Sequence, residues 1–560
     1  MSAWLLGLWI GLAHADESRA APLEVVMVEE LDRAWQVLLN EASPPHYASV
    51  AVEDRWRTNI NATDGVVASS QQQRERALDV DLRVGTPGLD STHALRGLSA
   101  MEDDERDRLA APLDEGWALR QAVWQQLDQA FRQGRERLIM LHANQSVKAE
   151  EEDPAPDFEP RTKVIDRREV PVLVVDATAW EPLLAELSAR LGTGARTEQG
   201  SASLAVSRVV KTFVDTEGTR LVHGGTLARV SLTANAKADD GDEIQVFRAV
   251  DVHDPASLPN RSALLALADE VVVELERQRT APRGDPYSGP VMLRGRAAAV
   301  FFHEVMGHRV EGHRQKSDDE GKTFADSIGK SVLPSWLTIV DDPTVAAMAG
   351  EDLNGFYAYD DEGVAAAAAS VVEGGIFTGF LMSRSPITGF EHSNGHGRRM
   401  AGRWPRARMA NTIVSNTRPI AVADMRKQLL GIVRQQNLPY GYIVDEIDGG
   451  FTLTGRVMPN AFNVRANATW RVYADGRPDE RVRGIDLVGT PFAAFANLVA
   501  AGDDPSVFNG ACGAESGWVP VSGVSPSILF SRLEFQLKEK GEELPPLLPK
   551  PTPPALEGTR

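Results

Sequence analysis

Within Val300-Phe-Phe-His-Glu-Val-Met-Gly-His-Arg-Val-Glu-Gly-His313, metal-binding side chains and a carboxylate share one short apolar segment, and no other stretch of the chain combines them this way. Neutral imidazole nitrogens hold a divalent ion such as zinc, and a neighbouring carboxylate that is not itself a ligand can take a proton from water that the ion has acidified. His303 and His308 are therefore candidate ligands, and Glu304 is a candidate general base. The spacing is H-E-x-x-x-H, one residue longer than the motif that stacks two histidines on one helix face. At about 100° per residue, a side chain five positions on lies roughly 140° round a regular helix, so the two rings would not meet one ion. Gly307 directly precedes His308, and a glycine conformation or a π-bulge there can rewind the turn. The chemistry needs that distortion.

The segment that must carry these groups, Ala297 to Phe302, is apolar and free of proline, which predicts a buried helix. Upstream, helical spacing over 23–44 ends at Ser43-Pro-Pro45, and Tyr47 to Val67 reads as short β-like runs with a turn at Asp64-Gly65. A second helix runs from just after Pro112 to about Gln145, with Trp117, Leu119, Val123, Leu127 and Phe131 as its apolar stripe. An acidic, proline-containing loop follows over 150–160. Short strands around Glu217-Gly218 and His223-Gly-Gly225 are expected from Val172 to Ile244, then a helix from about Ser262 to Gln278. Beyond the metal segment, Gly374-Gly375 marks a strand pair, and Gly441 to Gly489 reads as a meander turning at Asp448-Gly-Gly450 and Asp475-Gly476. The expected class is α+β: an N-terminal mixed α/β domain over 16–285, then a β-rich C-terminal domain over 286–540 that carries the metal helix. A proline-rich tail fills 541–560.

A chain of 560 residues has room for two or three domains. Its net charge of -20 argues against nucleic acid and anionic membrane surfaces, both of which would repel it. One cysteine, Cys512, excludes an internal disulfide. Taken alone it reads as a small buried hydrophobe, although the turn-like Gly510-Ala-Cys-Gly513 around it would let backbone approach an ion. The apolar run Met1–Ala15 is too short to span a bilayer and ends in Ala13-His14-Ala15, the small-x-small pattern of a signal-peptidase site, but it lacks a basic start. Export to a periplasmic or secreted location, with Asp16 as the mature first residue, is the expectation; stable membrane insertion is not.

At His303, Glu304 and His308, together with Cys512 in Asn509-Gly-Ala-Cys-Gly-Ala-Glu-Ser-Gly-Trp-Val-Pro-Val521, the chain resembles the TldD/PmbA family of metallopeptidases. Tyr287-Ser-Gly-Pro-Val291, Gly307-His-Arg-Val-Glu-Gly312, Thr338-Ile-Val-Asp-Asp342, Tyr359-Asp-Asp-Glu-Gly363 and Arg408-Met-Ala-Asn-Thr412 extend the likeness from about Tyr287 to about Leu533. It departs at His313, where relatives tend to have Asp. The resemblance implies one Zn²⁺ per chain held by His303, His308 and Cys512, and hydrolysis of unfolded or partly degraded polypeptides bound as extended strands. It also implies a homodimer, or a heterodimer with a homologous subunit, and a cytoplasmic location as the alternative to export. The rival reading is a metal-free, peptide-binding subunit of such a pair.

Several polar residues keep two readings each. Glu311 and His313 either orient a ligand imidazole or belong to a polar loop after the helix. Arg408 and Asn411 either bind substrate carbonyls or cap neighbouring turns. His396 lies in His392-Ser-Asn-Gly-His-Gly-Arg-Arg399, which the resemblance makes a substrate-facing loop. His46, His93, His142, His223 and His253 are scattered and suit surface or core positions.

Overall fold

The computed structural model describes residues 21–94, 109–113, 116–145, 153–194, 196–316, 320–456, 461–539 and 548. The expected signal segment and nearly all of the proline-rich tail lie outside the described residues. No described helix is long and apolar enough to cross a membrane. The architecture is α+β, as the sequence predicts.

The N-terminal half is organised by very long antiparallel strands. Helix α1 (Ala21–Leu38) precedes β1 (Pro45–Thr63) and β2 (Val66–Thr86), which are joined by the two-residue turn Asp64-Gly65. Both turn residues have positive φ, +46° and +92°, the backbone twist that suits a tight hairpin. Then come α2 (Trp117–Gln145), α3 (Ala177–Leu191), β3 (Thr197–Asp215), β4 (Arg220–Lys237), β5 (Glu243–Val252) and α4 (Arg261–Thr280). In the sheet β1 pairs with both β2 and β3, and β4 lies between β3 and β5. Alternation along β1 decides what each face meets. Its even positions Ala48, Val50 and Val52 pack under α1 and α2, while Ile60 and Ala62 pack under α3 and α4. Odd positions, such as Tyr47, and Asp79, Asp81 and Arg83 of β2, turn to the C-terminal half, where Arg399 reaches Asp79 at 2.6 Å.

Four expectations are corrected here. The strands are 18 to 21 residues long rather than short runs, because each pairs with a neighbour of equal length. His223-Gly-Gly225 is no turn: it lies inside β4, and a Cβ at Gly224 would stand 1.9 Å from the Val209 carbonyl oxygen. Glycine is there for cross-strand closeness. Helix α3 stands where short strands were expected, and Trp117 is 70% exposed, off the stripe that Leu119, Val123, Leu127 and Phe131 bury.

The C-terminal half builds two sheets around one helix. After β6 (Tyr287–Leu293) comes α5 (Gly295–Val305), then β7 (Leu337–Asp341), β8 (Asn411–Asn416), α6 (Val422–Gln435), β9 (Tyr440–Thr452), β10 (Phe462–Tyr473), β11 (Ser506–Ala514), β12 (Gly517–Ser525) and β13 (Ile528–Leu537). Strands β6, β9, β10 and β13 belong to an eight-stranded sheet, which the pairing of β13 with β6 closes on itself. A six-stranded sheet holds β7, β8 and β12, with β11 at its edge. Helix α5 packs against β9, β11 and β12, and its run Ala297 to Phe302 is buried among them. A Cβ at Gly295 would meet Ser506 Oγ at 2.7 Å, which is why the helix can start so close to β11. Asp448-Gly449-Gly450, expected as a turn, is instead an irregularity within β9; the chain reverses only after Thr452. The expected reversals at Gly374-Gly375 and Asp475-Gly476 are present.

Candidate metal centre

Helix α5 delivers His303 and Glu304 on its last turn and then stops. Met306 leaves helical geometry at φ −112°, and Gly307–Val310 continues as a tight 3₁₀ turn. That change of winding is the distortion the H-E-x-x-x-H spacing requires. Gly307 serves it by its missing side chain, since a Cβ would lie 1.9 Å from Met409 Sδ, and its φ is not positive. The freed carbonyls of Glu304 and Val305 accept hydrogen bonds from Arg309 Nη1 at 3.0 and 3.1 Å. Burial, with Arg314 nearby, pulls Arg309 down to about 10.

Cys512 arrives from the opposite side on β11, in a strand rather than the expected turn. Its Sγ lies 3.3 Å from His308 Nε2, and the rings of His303 and His308 stand 5.3 Å apart at 81°. One ligand atom from each of His303, His308 and Cys512 falls within 4.8 Å of the others, and all three residues are buried. Among the described residues this is the group that can hold a metal ion. The donor chemistry fits: His303 Nδ1 is buried with no hydrogen-bond partner, and two imidazoles with one sulfur are a zinc-type set. Burial raises the Cys512 pKa, but His308 and His303 outweigh it and hold the thiol well below its ordinary value. Burial lowers both imidazoles, yet Cys512 leaves each raised.

A charged frame fixes His308 and the Cys512 strand together. Glu311 Oε2 lies 3.5 Å from His308 Nδ1, and Glu311 is gripped by Arg314 at 2.9 Å and by Arg408 at 3.1 Å. Burial opposes ionisation of Glu311, but Arg314 and His308 hold its pKa far below the usual carboxylate range. Arg408 continues to the carbonyl of Cys512 at 2.9 Å and to Ser516 Oγ at 2.8 Å, while Arg314 reaches Glu515 at 2.8 Å. Glu304 stands outside this frame. It is 8% exposed, and its carboxylate makes no hydrogen bond or ion pair with any described residue. Room beside it comes from Gly450, whose added Cβ would lie 3.3 Å from Glu304 Cγ.

A family model for the PmbA/TldA metallopeptidase C-terminal domain matches residues 286–537. A Methanothermobacter thermautotrophicus protein described as a metalloprotease is 28% identical over 339 residues, covering 56% of this chain and 65% of that protein. An Archaeoglobus fulgidus protein with the same description is 27% identical over 266 residues, covering 46% of this chain and 55% of that protein. Over residues 286–537 the chain is similar to the TldD/PmbA metallopeptidases. Its match spans less than two thirds of either relative's own length. The solved structure of TldE from Thermococcus kodakarensis superposes with a TM-score of 0.57 over 91% of this chain and 99% of that one; at 14% identity the likeness concerns the fold.

Other residues singled out in the TldD/PmbA-like segments are placed elsewhere than a substrate cleft. Arg408 is fully buried with its donors engaged in the frame, so it braces the site instead of meeting a substrate. Asn411 is equally buried and donates to the carbonyls of Asp342 and Val345, which is its turn-capping alternative. His396 is sealed between Asp341 at 3.2 Å and Asn394 at 2.9 Å, not on a substrate-facing loop. His313 faces Glu515 at 3.8 Å and is not part of the three-residue group. Arg314 and Glu515 had no sequence signal, because 201 residues separate them.

Proposed function

We propose that the chain is a zinc-dependent peptidase acting on unfolded or partly degraded polypeptides, with His303, His308 and Cys512 as its ligands. The observation that carries this reading is the pairing of a three-donor group with an unpartnered buried carboxylate, Glu304, on the adjoining residue of the same helix turn. Three protein ligands leave a position open, and zinc bound there would polarise a scissile carbonyl and acidify a water. Glu304 takes the proton of the attacking water and passes it to the leaving amine. Its freedom from other partners leaves both oxygens available for that transfer. Glu311 holds His308 in one orientation through Nδ1, and Arg408 keeps Glu311 and the Cys512 backbone in register.

The substrate mode follows from β11. It is the edge of its sheet, where an extended peptide can add by main-chain hydrogen bonds and run past Cys512 with little demand on sequence. Assembly as a dimer, with a second copy or a homologous chain, is part of the proposal. A non-catalytic peptide-binding subunit would have no use for an unpaired glutamate beside three donors.

The test compares wild type with Glu304→Gln on an unfolded peptide at matched zinc occupancy and melting temperature. The amide keeps the shape and loses the base, so the rate should fall by about 10²–10⁴-fold. Equal rates would sink the mechanism, and loss of zinc in the variant would make Glu304 a ligand.

A further inference from the structure

Near the metal centre, at the junction with the N-terminal sheet, most arginines are paired. Arg229 meets Asp251 at 2.7 Å and Arg248 meets Glu446 at 2.6 Å. Arg296 is different: it makes no ion pair with any described residue, and its hydrogen bond, from Nη1 to the Val507 carbonyl, is 3.5 Å long. Four of its five N–H donors are therefore unengaged by any described residue. Burial pulls its pKa below the ordinary arginine value, with Glu446 and Glu351 offsetting that from a distance. A half-buried guanidinium without a counter-charge is costly unless something supplies one.

Its position says where that counter-charge would come from. Arg296 sits seven residues before His303 on α5, close to two full turns, so the two residues share a helix face. The guanidinium carbon lies 5.5 Å from the centre of the Phe508 ring, and that ring lies 6.4 Å from the ring of His303. Phe508 and Cys512 stand four residues apart on β11, hence on one side of the edge strand. The guanidinium is within about 12 Å of the His303 ring, a span of roughly three to four residues of extended peptide at about 3.3 Å each.

We propose that Arg296 is a specificity-determining residue that receives a peptide carboxylate about three or four residues from the bond that is cut, this carboxylate being the C-terminus or an Asp or Glu side chain. The assignment rests on the peptidase reading above. Phe508 holds one face of the guanidinium, and the fork is left to take a carboxylate in two parallel hydrogen bonds. With a net charge of -20 the chain's long-range field does not draw acidic peptides in, so the preference has to arise at this contact.

Binding can be read without turnover on zinc-loaded Glu304→Gln protein, by fluorescence anisotropy with unstructured labelled peptides. The set is a neutral peptide with a free C-terminus, its C-terminal amide, and amides carrying one Glu or one Gln at successive positions. One carboxylate position should bind about tenfold tighter than its neutral counterpart, as expected for a charge-assisted pair. Which peptide shows it separates terminus from side chain. Adding Arg296→Gln should abolish the difference, and Arg296→Lys should keep its sign at reduced size. Equal affinities across the set with Arg296 intact, or a preference that survives Arg296→Gln, would overturn the assignment. A preference that depends on Arg296, in peptides that wild type never cleaves, would support it and defeat the peptidase reading instead.

Discussion

Two of the buried charge networks among the described residues are built to different ends. Around His308, the frame of Glu311, Arg314, Arg408 and Glu515 ends on atoms of the metal-capable group: a ring nitrogen and the backbone of Cys512. Along the seam between the halves, Asp79 with Arg399, Lys211 with Asp361 and Glu217 with Arg384 end on one another. Seam carboxylates exceed their partners there, and burial leaves Asp360 and Glu362 raised. Buried charge is common to both networks. Glu304 and His303 Nδ1, unanswered groups in the donor cluster that the first network braces, mark chemistry better than burial does.

Cutting each network should separate them. Arg408→Met removes a brace from fully buried Glu311 and should cost about 3–5 kcal/mol, read by denaturant unfolding, together with most of the bound metal. Arg399→Met strands Asp79 in the seam and should cost about 3 kcal/mol while metal per chain, measured by atomic emission, stays as in wild type. Equal metal loss in both variants would erase the distinction.

The seam also carries a pH signature. Burial, reinforced by Lys211, lowers His223 to about 4. A histidine neutral in the fold and protonated in the unfolded chain takes up protons on unfolding, so stability falls as pH drops from about 6.5 toward 4. His223→Gln should therefore gain about 2 kcal/mol over wild type at about pH 5 relative to neutral pH. A pH-independent difference between the two would remove His223 from the account. Smallest of all, Trp117→Gln at a 70% exposed position should shift stability by less than about 0.5 kcal/mol.

What the sequence disclosed was local chemistry. His303, Glu304 and His308 were legible because imidazole and carboxylate in an apolar segment are unusual company, and α5 because its run is apolar on every side. Winding was not: nothing in Met306-Gly-His308 says whether a helix ends or bulges, since Met409, a hundred residues on, settles the space. Glycine pairs misled twice, at Gly224-Gly225 and Gly449-Gly450, because close backbone approach and reversal call for the same residue. Helix α3 hid behind Pro182 and the β-rich runs around it. Arg408 and His396 were polar residues in a family-like segment, and only the packed structure reveals them as internal struts.

Cys512 lies 204 residues after His308 in the chain, on a strand that reaches its place by pairing with β12. A ribosome makes both imidazoles long before the thiol, and a nascent chain stopped in between has two donors and no cage. On the proposed ligand set, metal retention would report that synthesis has passed β12, and a product clipped ahead of Cys512 would arrive empty.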